Sequence, residues 1–189
     1  HGSGLGGGSS NAATLLNFFK SKKIISLSSE EMKSVGSKIG SDVPVLLNTK
    51  SALLTGKIGQ IKRINYKFKF TILIVYPNLI CSTKKIYKRN KNFSLPLPIS
   101  AFNFKSKKAL VNFLKYEKND LQDPAIKFYP KIRMIIKQLS TMKGCYFSRI
   151  TGSGSACIAI FPNTSRAIAA QKLIKLKYPK YWTAVSKTI

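Results

Sequence analysis

CYFSRITGSGSACIAIF, residues 145–161, reads as two short strands, Cys145 to Ile150 and Ala156 to Phe161, joined by a glycine turn at Gly152 to Gly154. A helix over Ser165 to Leu176 and a last strand over Tyr181 to Ser186 follow. Upstream, Phe68, Phe70, Ile72 and Ile74 alternate with their neighbours as in a strand, and Pro77 ends it. Between that strand and Cys145 lie helical segments at Ser82 to Arg89, Ala109 to Lys115 and Pro124 to Met142, with a polar, proline-containing loop from Lys91 to Ser106. Strand, helices, two strands, helix and strand in that order imply an α+β domain of ferredoxin-like type. The pattern changes near Gly56 and Gly59, which places a domain boundary between residues 58 and 59, giving segments 1–58 and 59–189.

The first segment opens with glycines, Gly2 to Gly8, that run into a helix from Ser9 to about Lys22, with Ala12, Leu15, Leu16 and Phe19 at helical spacing. Ser28 followed by Glu31 is a capping-box pattern, with Leu27 placed to act as its hydrophobic staple, and a helix continues to about Lys38. Gly40 to Pro44 breaks it, and Val45 to Leu47 starts a short buried segment. The chain begins at His1 inside its most constrained loop, so further sequence upstream is expected, and with it low activity for these residues alone and exposed apolar faces on the first two helices.

The bulk numbers set limits. With 189 residues and 44% hydrophobic content a packed core can form. The best apolar run, Phe70 to Cys81, contains Pro77 and is too short to span a bilayer, which points to a cytoplasmic protein with no membrane partner. Cys81, Cys145 and Cys157 are scattered, with no C-x-x-C pair, so neither a disulfide framework nor a zinc site is expected. The sole histidine is His1, which removes histidine-based triads and metal sites. Thirty-three Lys and Arg against six Asp and Glu give a net charge of +27. The basic residues are dispersed and form no stripe, so the charge favours an anionic small molecule over nucleic acid.

The glycine run is built for an anion. Glycines let backbone N–H groups approach a ligand, and the helix start adds unpaired donors and the positive end of a dipole. Gly2, Gly4 and Gly7 also fit a dinucleotide pattern, and a flexible linker is a third reading; a Walker loop lacks its lysine here. Among the acids, Glu30 and Glu31 fit capping and Asp120 and Asp123 fit helix starts. Asp42 alone lies in an uncharged setting, where it is either a base or orienter or a turn aspartate capping the next segment. The Thr151 to Ser155 turn reads as an ordinary hairpin or as a place for close backbone approach.

GLGGGSSNAA, IGSDVPVLL and ITGSGSACIAIF together resemble the GHMP kinases in order and approximate spacing. The first two forms are most similar to the branch that phosphorylates the 2-hydroxyl of 4-diphosphocytidyl-2-C-methyl-D-erythritol in non-mevalonate isoprenoid synthesis. Segments 72–77 and 119–121 agree. The resemblance implies a GHMP kinase fold: a partial ATP-binding domain in residues 1–58, then the C-terminal domain. It implies ATP phosphates on Gly4, Leu5, Gly6, Gly7, Gly8, Ser9 and Ser10, with Mg²⁺ offsetting their charge, and Asp42 as the catalytic aspartate. It implies a cytidine diphosphate substrate beside Thr83, Tyr87, Gly152 and Ser153, and a homodimer is compatible with it. Roughly the first third of the family pattern, with its lysine, is absent; Gln60 replaces an expected glutamate and Ile150 an expected methionine. A homoserine or mevalonate type, or an inactive nucleotide-binding fragment, are the alternatives.

Overall fold

The computed structural model describes residues 2–55, 60–64 and 68–188. Its elements run α1 (Gly7–Ser21), α2 (Ser29–Ile39), α3 (Val43–Leu46), β1 (Ala52–Thr55), β2 (Gln60–Arg63), β3 (Thr71–Tyr76), α4 (Thr83–Arg89), α5 (Lys107–Tyr116), α6 (Gln122–Phe128), α7 (Lys131–Ser140), β4 (Phe147–Ile150), β5 (Cys157–Phe161), α8 (Thr164–Lys177) and β6 (Trp182–Lys187). Two compact units result, one of Gly6–Lys67 and one of His1–Leu5 with Phe68–Thr188.

The larger unit holds a four-stranded antiparallel sheet in the order β4-β5-β3-β6. Numbered within the unit this is 2-3-1-4, the ferredoxin-like arrangement expected from the element order. The ladder puts Leu73 opposite Ala159 and Val185, and Val75 opposite Cys157, so these side chains share one face. On α7 the apolar positions Ile132, Ile135 and Leu139 recur at helical spacing, and on α8 the small or branched residues Ala167, Ala170 and Ile174 do the same. These stripes pack with the Leu73 face into the main core, where Leu73, Val75, Ile132, Leu139, Phe161 and Ile174 are wholly buried. The other face of β3, carrying Ile72 and Ile74, is only half-buried.

Local signals start the helices. Ser82, Ser106 and Asn163 each accept a hydrogen bond from the backbone N–H three residues on, as N-cap residues do. The single helix expected from Pro124 to Met142 is instead two. Pro130 has no N–H and its ring clashes with the preceding turn, while Tyr129 before it is held out of the helical region at φ −132° and ψ 75°. Pro130 then takes the N-cap position of α7.

In the smaller unit, α1, α2 and α3 bury Ala13, Leu16, Met32 and Val43. The Ser28 and Glu31 capping box is present in full, and Leu27 joins the same cluster as Met32. Gly36 is needed for closeness: a Cβ there would stand 3.1 Å from Val43 Cγ1. Leu15, Phe18 and Phe19 on α1 and Ile39 on α2 are exposed. The boundary expected at Gly59 lies outside the described residues. The hairpin β1–β2 belongs to the smaller unit, where it is tied to the segment before it. The Arg63 guanidinium donates to the carbonyls of Val45, Asn48 and Lys50 at 2.8, 3.1 and 2.9 Å.

Leu73 sits at 0% exposure on the central strand. Leu73→Ala is expected to cost about 2–5 kcal/mol of stability, as large-to-small changes in packed cores do. Ile72→Ala, on the half-buried face, is expected to cost less; urea unfolding followed by circular dichroism compares the two.

Candidate functional site

The glycine-rich stretch is two structures. Its first part, Gly2 to Leu5, packs with the larger unit against the turn between β4 and β5. Ala156 N–H donates to the Ser3 carbonyl at 2.8 Å, Ser155 and Cys81 N–H groups donate to the Gly2 carbonyl at 3.3 and 3.2 Å, and Thr151 Oγ1 donates to the Gly4 carbonyl at 3.2 Å. Gly4 has φ +75°, and a Cβ there would overlap the Thr151 carbonyl oxygen and stand 2.9 Å from the backbone of Gly154. Gly152, at φ +53°, would meet the Gly4 carbonyl at 3.2 Å. Backbone lies on both sides, so neither neighbour can swing aside. The structure thus brings Gly4 and Gly152 together.

The second part, Gly6 to Ser10, opens α1 in the smaller unit. Gly6 is the N-cap, in the left-handed region at φ +66°, and no side chain caps the helix. The first internal bond runs from Ser10 N–H to the Gly6 carbonyl at 2.9 Å, leaving the N–H groups of Gly7, Gly8 and Ser9 without intrahelical acceptors. A Cβ added at Gly6, Gly7 or Gly8 would meet nothing within 4 Å. Gly7 and Gly8 are therefore not required by the protein's own packing or backbone, unlike Gly4, whereas Gly6 answers to its left-handed conformation. The helix start presents donors and the positive end of its dipole to open space. Ser9 lies beside the turn that carries Asp42, since a Cβ on Gly40 would stand 3.9 Å from Ser9 Oγ.

Asp42 occupies the N-cap position of α3 but caps nothing: no helix N–H bonds to its side chain. Among the described residues its side chain is met by the Ser41 hydroxyl, which donates to Oδ1 at 3.4 Å. The Asp42 side chain thus makes no capping hydrogen bond, and the carboxylate stands exposed in its unit. Asp120 is not a helix cap either; Leu121 is the N-cap residue of α6, and Asp120 instead accepts from Ser94 N–H at 2.8 Å and Ser94 Oγ at 2.6 Å.

In the larger unit Thr83 and Ser153 meet, their hydroxyl oxygens 2.9 Å apart. Tyr87 lies one turn further along α4, on the same side as Thr83, and is half-exposed. Ser153 and Ser155 are buried polar residues, and Ser155 Oγ donates to the Leu79 carbonyl. A residue whose role sequence reasoning missed is Asn119. Its Nδ2 donates to the carbonyls of Gly152 at 2.8 Å and Ile150 at 3.2 Å, while its Oδ1 accepts from Leu121 N–H at 3.0 Å. One side chain thus fixes the glycine turn to the start of α6. The only sequence signal was an Asx pattern ahead of a helix.

The thiols are not nucleophiles at neutral pH. Burial pushes Cys81 up, Cys145 up to about 11 and Cys157 up to about 12. Among the described residues no group of three or more His, Cys, Asp or Glu could hold a metal ion, and no helix is long and apolar enough to cross a membrane.

Residues 102–180 match the family model described as GHMP kinases C terminal. The chain is 38% identical over 187 residues to the 4-diphosphocytidyl-2-C-methyl-D-erythritol kinase of Pelagibacter ubique, covering 98% of this chain and 65% of that protein. It thus spans just under two thirds of that relative's length. Among solved structures, a 4-(cytidine 5'-diphospho)-2C-methyl-D-erythritol kinase superposes with a TM-score of 0.79 at 23% identity, over 98% of this chain and 66% of that one. A homoserine kinase from Cytophaga hutchinsonii superposes with a TM-score of 0.71 at 12% identity, over 100% and 66%. Residues 102–180 are thus similar to the C-terminal part of GHMP kinases, and the chain shares its fold with the corresponding part of these two solved kinases.

Proposed function

We propose that the chain is part of an ATP-dependent kinase that phosphorylates the 2-hydroxyl of 4-diphosphocytidyl-2-C-methyl-D-erythritol, in the non-mevalonate route to isoprenoid precursors. The observation that carries this reading is the 38% identity, over nearly the whole chain, to a protein named for that activity. The uncapped helix start supports it, because glycines that the protein's own packing does not require are explained by the close approach of a phosphate chain.

In this reading the free N–H groups of Gly7, Gly8 and Ser9, with the dipole of α1, hold the ATP phosphates, and the hydroxyls of Ser9 and Ser10 add donors. Mg²⁺, when bound with those phosphates, would supply positive charge to offset theirs. The substrate's 2-hydroxyl oxygen attacks the γ-phosphorus, the bond to the β-phosphate oxygen breaks, and ADP leaves. Asp42 orients that hydroxyl or takes its proton, with a carboxylate that no helix N–H engages. Thr83, Tyr87, Gly152 and Ser153 form the substrate side, with Tyr87 offering a half-exposed ring to the cytosine. The enzyme would be cytoplasmic.

ATP consumption tests the assignment, measured on a hybrid that joins the chain to the part of the Pelagibacter relative it does not span. Turnover is expected to require the cytidyl substrate and to fall roughly 10²-fold or more in Asp42→Asn. Tyr87→Ala is expected to raise KM for the cytidyl substrate and leave KM for ATP unchanged. A hybrid that melts cooperatively but consumes ATP only with homoserine or mevalonate would overturn the substrate.

The two classes of glycine give a second test. Gly8→Ala is expected to keep or raise stability, by up to about 1 kcal/mol, while weakening ATP binding. Gly4→Ala is expected to destabilise by at least about 1–2 kcal/mol from its left-handed backbone alone. Thermal melts and ATP titrations of both variants read the difference.

A further inference from the structure

A cavity of about 890 Å³ lies in the larger unit, between the end of α4, the residues that follow it, the α5–α6 connection and β4. It is lined by none of the residues assigned above to ATP or the cytidyl substrate. Its volume falls within the range of small-molecule sites. Six cationic side chains line it: Arg89, Lys91, Lys115, Lys118, Lys127 and Arg149. The carboxylates on its wall are half as many, Glu117, Asp120 and Asp123, and both oxygens of Asp120 are already engaged by Ser94.

Two groups on this wall, one half-buried and one a buried nitrogen, lack the partners their chemistry asks for. The Arg149 guanidinium is half-buried, stacks 4.4 Å from the centroid of the Phe147 ring and donates to the Leu114 carbonyl. Among the described residues it has no carboxylate in ion-pair range. Burial pulls its pKa down, and the charge of Glu117 offsets part of that. Asn90 keeps a buried amide nitrogen, Nδ2, with no hydrogen-bond partner among the described residues. A buried donor left unpaired is costly, and a planar guanidinium fork suits phosphate oxygens.

We propose that this cavity binds a small molecule carrying a diphosphate group. Arg149 and the lysines receive the phosphates, and Asn90 with the exposed ring of Phe93 meets the rest of the ligand. The excess of cations over carboxylates favours a diphosphate over a single phosphate, which brings only about −1.5 to −2 of charge.

Calorimetric titration of the chain with inorganic pyrophosphate and with orthophosphate tests this. Pyrophosphate is expected to bind at least tenfold tighter than orthophosphate. The binding should survive Gly7→Asp, which puts a carboxylate at the start of α1 and repels phosphate there. It should weaken at least tenfold when Lys91, Lys118 and Lys127 are changed together to Gln, and should hold when Lys33, Lys172 and Lys175 are changed instead. Lys118→Glu alone, checked by thermal melting, repeats the test if the triple variant is unstable. Loss in Gly7→Asp with retention in the Lys91, Lys118 and Lys127 variant would assign the pyrophosphate to the helix start and overturn the proposal. Equal weakening by both lysine triples would reduce the effect to net charge and overturn it too, as would binding of oligonucleotides but not of pyrophosphate.

Discussion

The contact between the Gly2–Leu5 segment and the Thr151–Ser155 turn is made by backbone on both sides, and much of the larger unit serves to hold it. Gly4 has no room for a Cβ because the Thr151 carbonyl and Gly154 occupy that space. The turn is held in three independent ways: Asn119 binds the carbonyls of Ile150 and Gly152, Thr83 meets Ser153, and Ser155 reaches the Leu79 carbonyl. The side chains that fix it come from α4 and from the segment ahead of α6. Elements that read as scaffold therefore determine the position of a glycine segment that continues directly, in sequence, into the open helix start at Gly6.

That continuity explains why glycines cluster here for two different reasons. At Gly2 and Gly4 the cause is internal, a left-handed backbone pressed against other backbone. At Gly7 and Gly8 there is no internal cause; both are helical, where glycine is the poorer choice by roughly 0.5–1 kcal/mol. A cost borne at successive positions of an uncapped helix start points to a ligand that must come close. Asp42 follows the same logic, standing at a helix N-terminus without capping it. Both features give up local stability, and sites that break local rules are where function is expected.

The net charge of +27 acts differently at different places. On open surface, lysines separated by more than a screening length of about 8–10 Å do not sum to a directed field. Inside a half-enclosed cavity the surrounding protein excludes water, and the same charges reinforce one another. Arg149, stacked on Phe147 and half withdrawn from solvent, is where the two regimes meet.

What was legible in the sequence was whatever is decided locally. The capping box at Ser28 and Glu31, the β4–turn–β5 unit and the α7 and α8 stripes each depend on residues a few positions apart. The break at Pro130 was also local, yet a proline tolerated in a first turn at Pro124 masked the proline that splits the helix. The clamp by Asn119 spans 31 and 33 positions, and the tie from Arg63 to Val45 spans 18. No periodicity encodes such partners; an Asn ahead of a helix satisfies its own Asx turn whether or not its amide also reaches a distant carbonyl. The cavity is further still from local reading, because Arg89, Lys118 and Arg149 become neighbours only through the order of the sheet and the helices packed on it. Side chains that hold a site by long-range hydrogen bonds carry the least sequence signal, which is why the glycines could be read from the chain and the residues that position them could not.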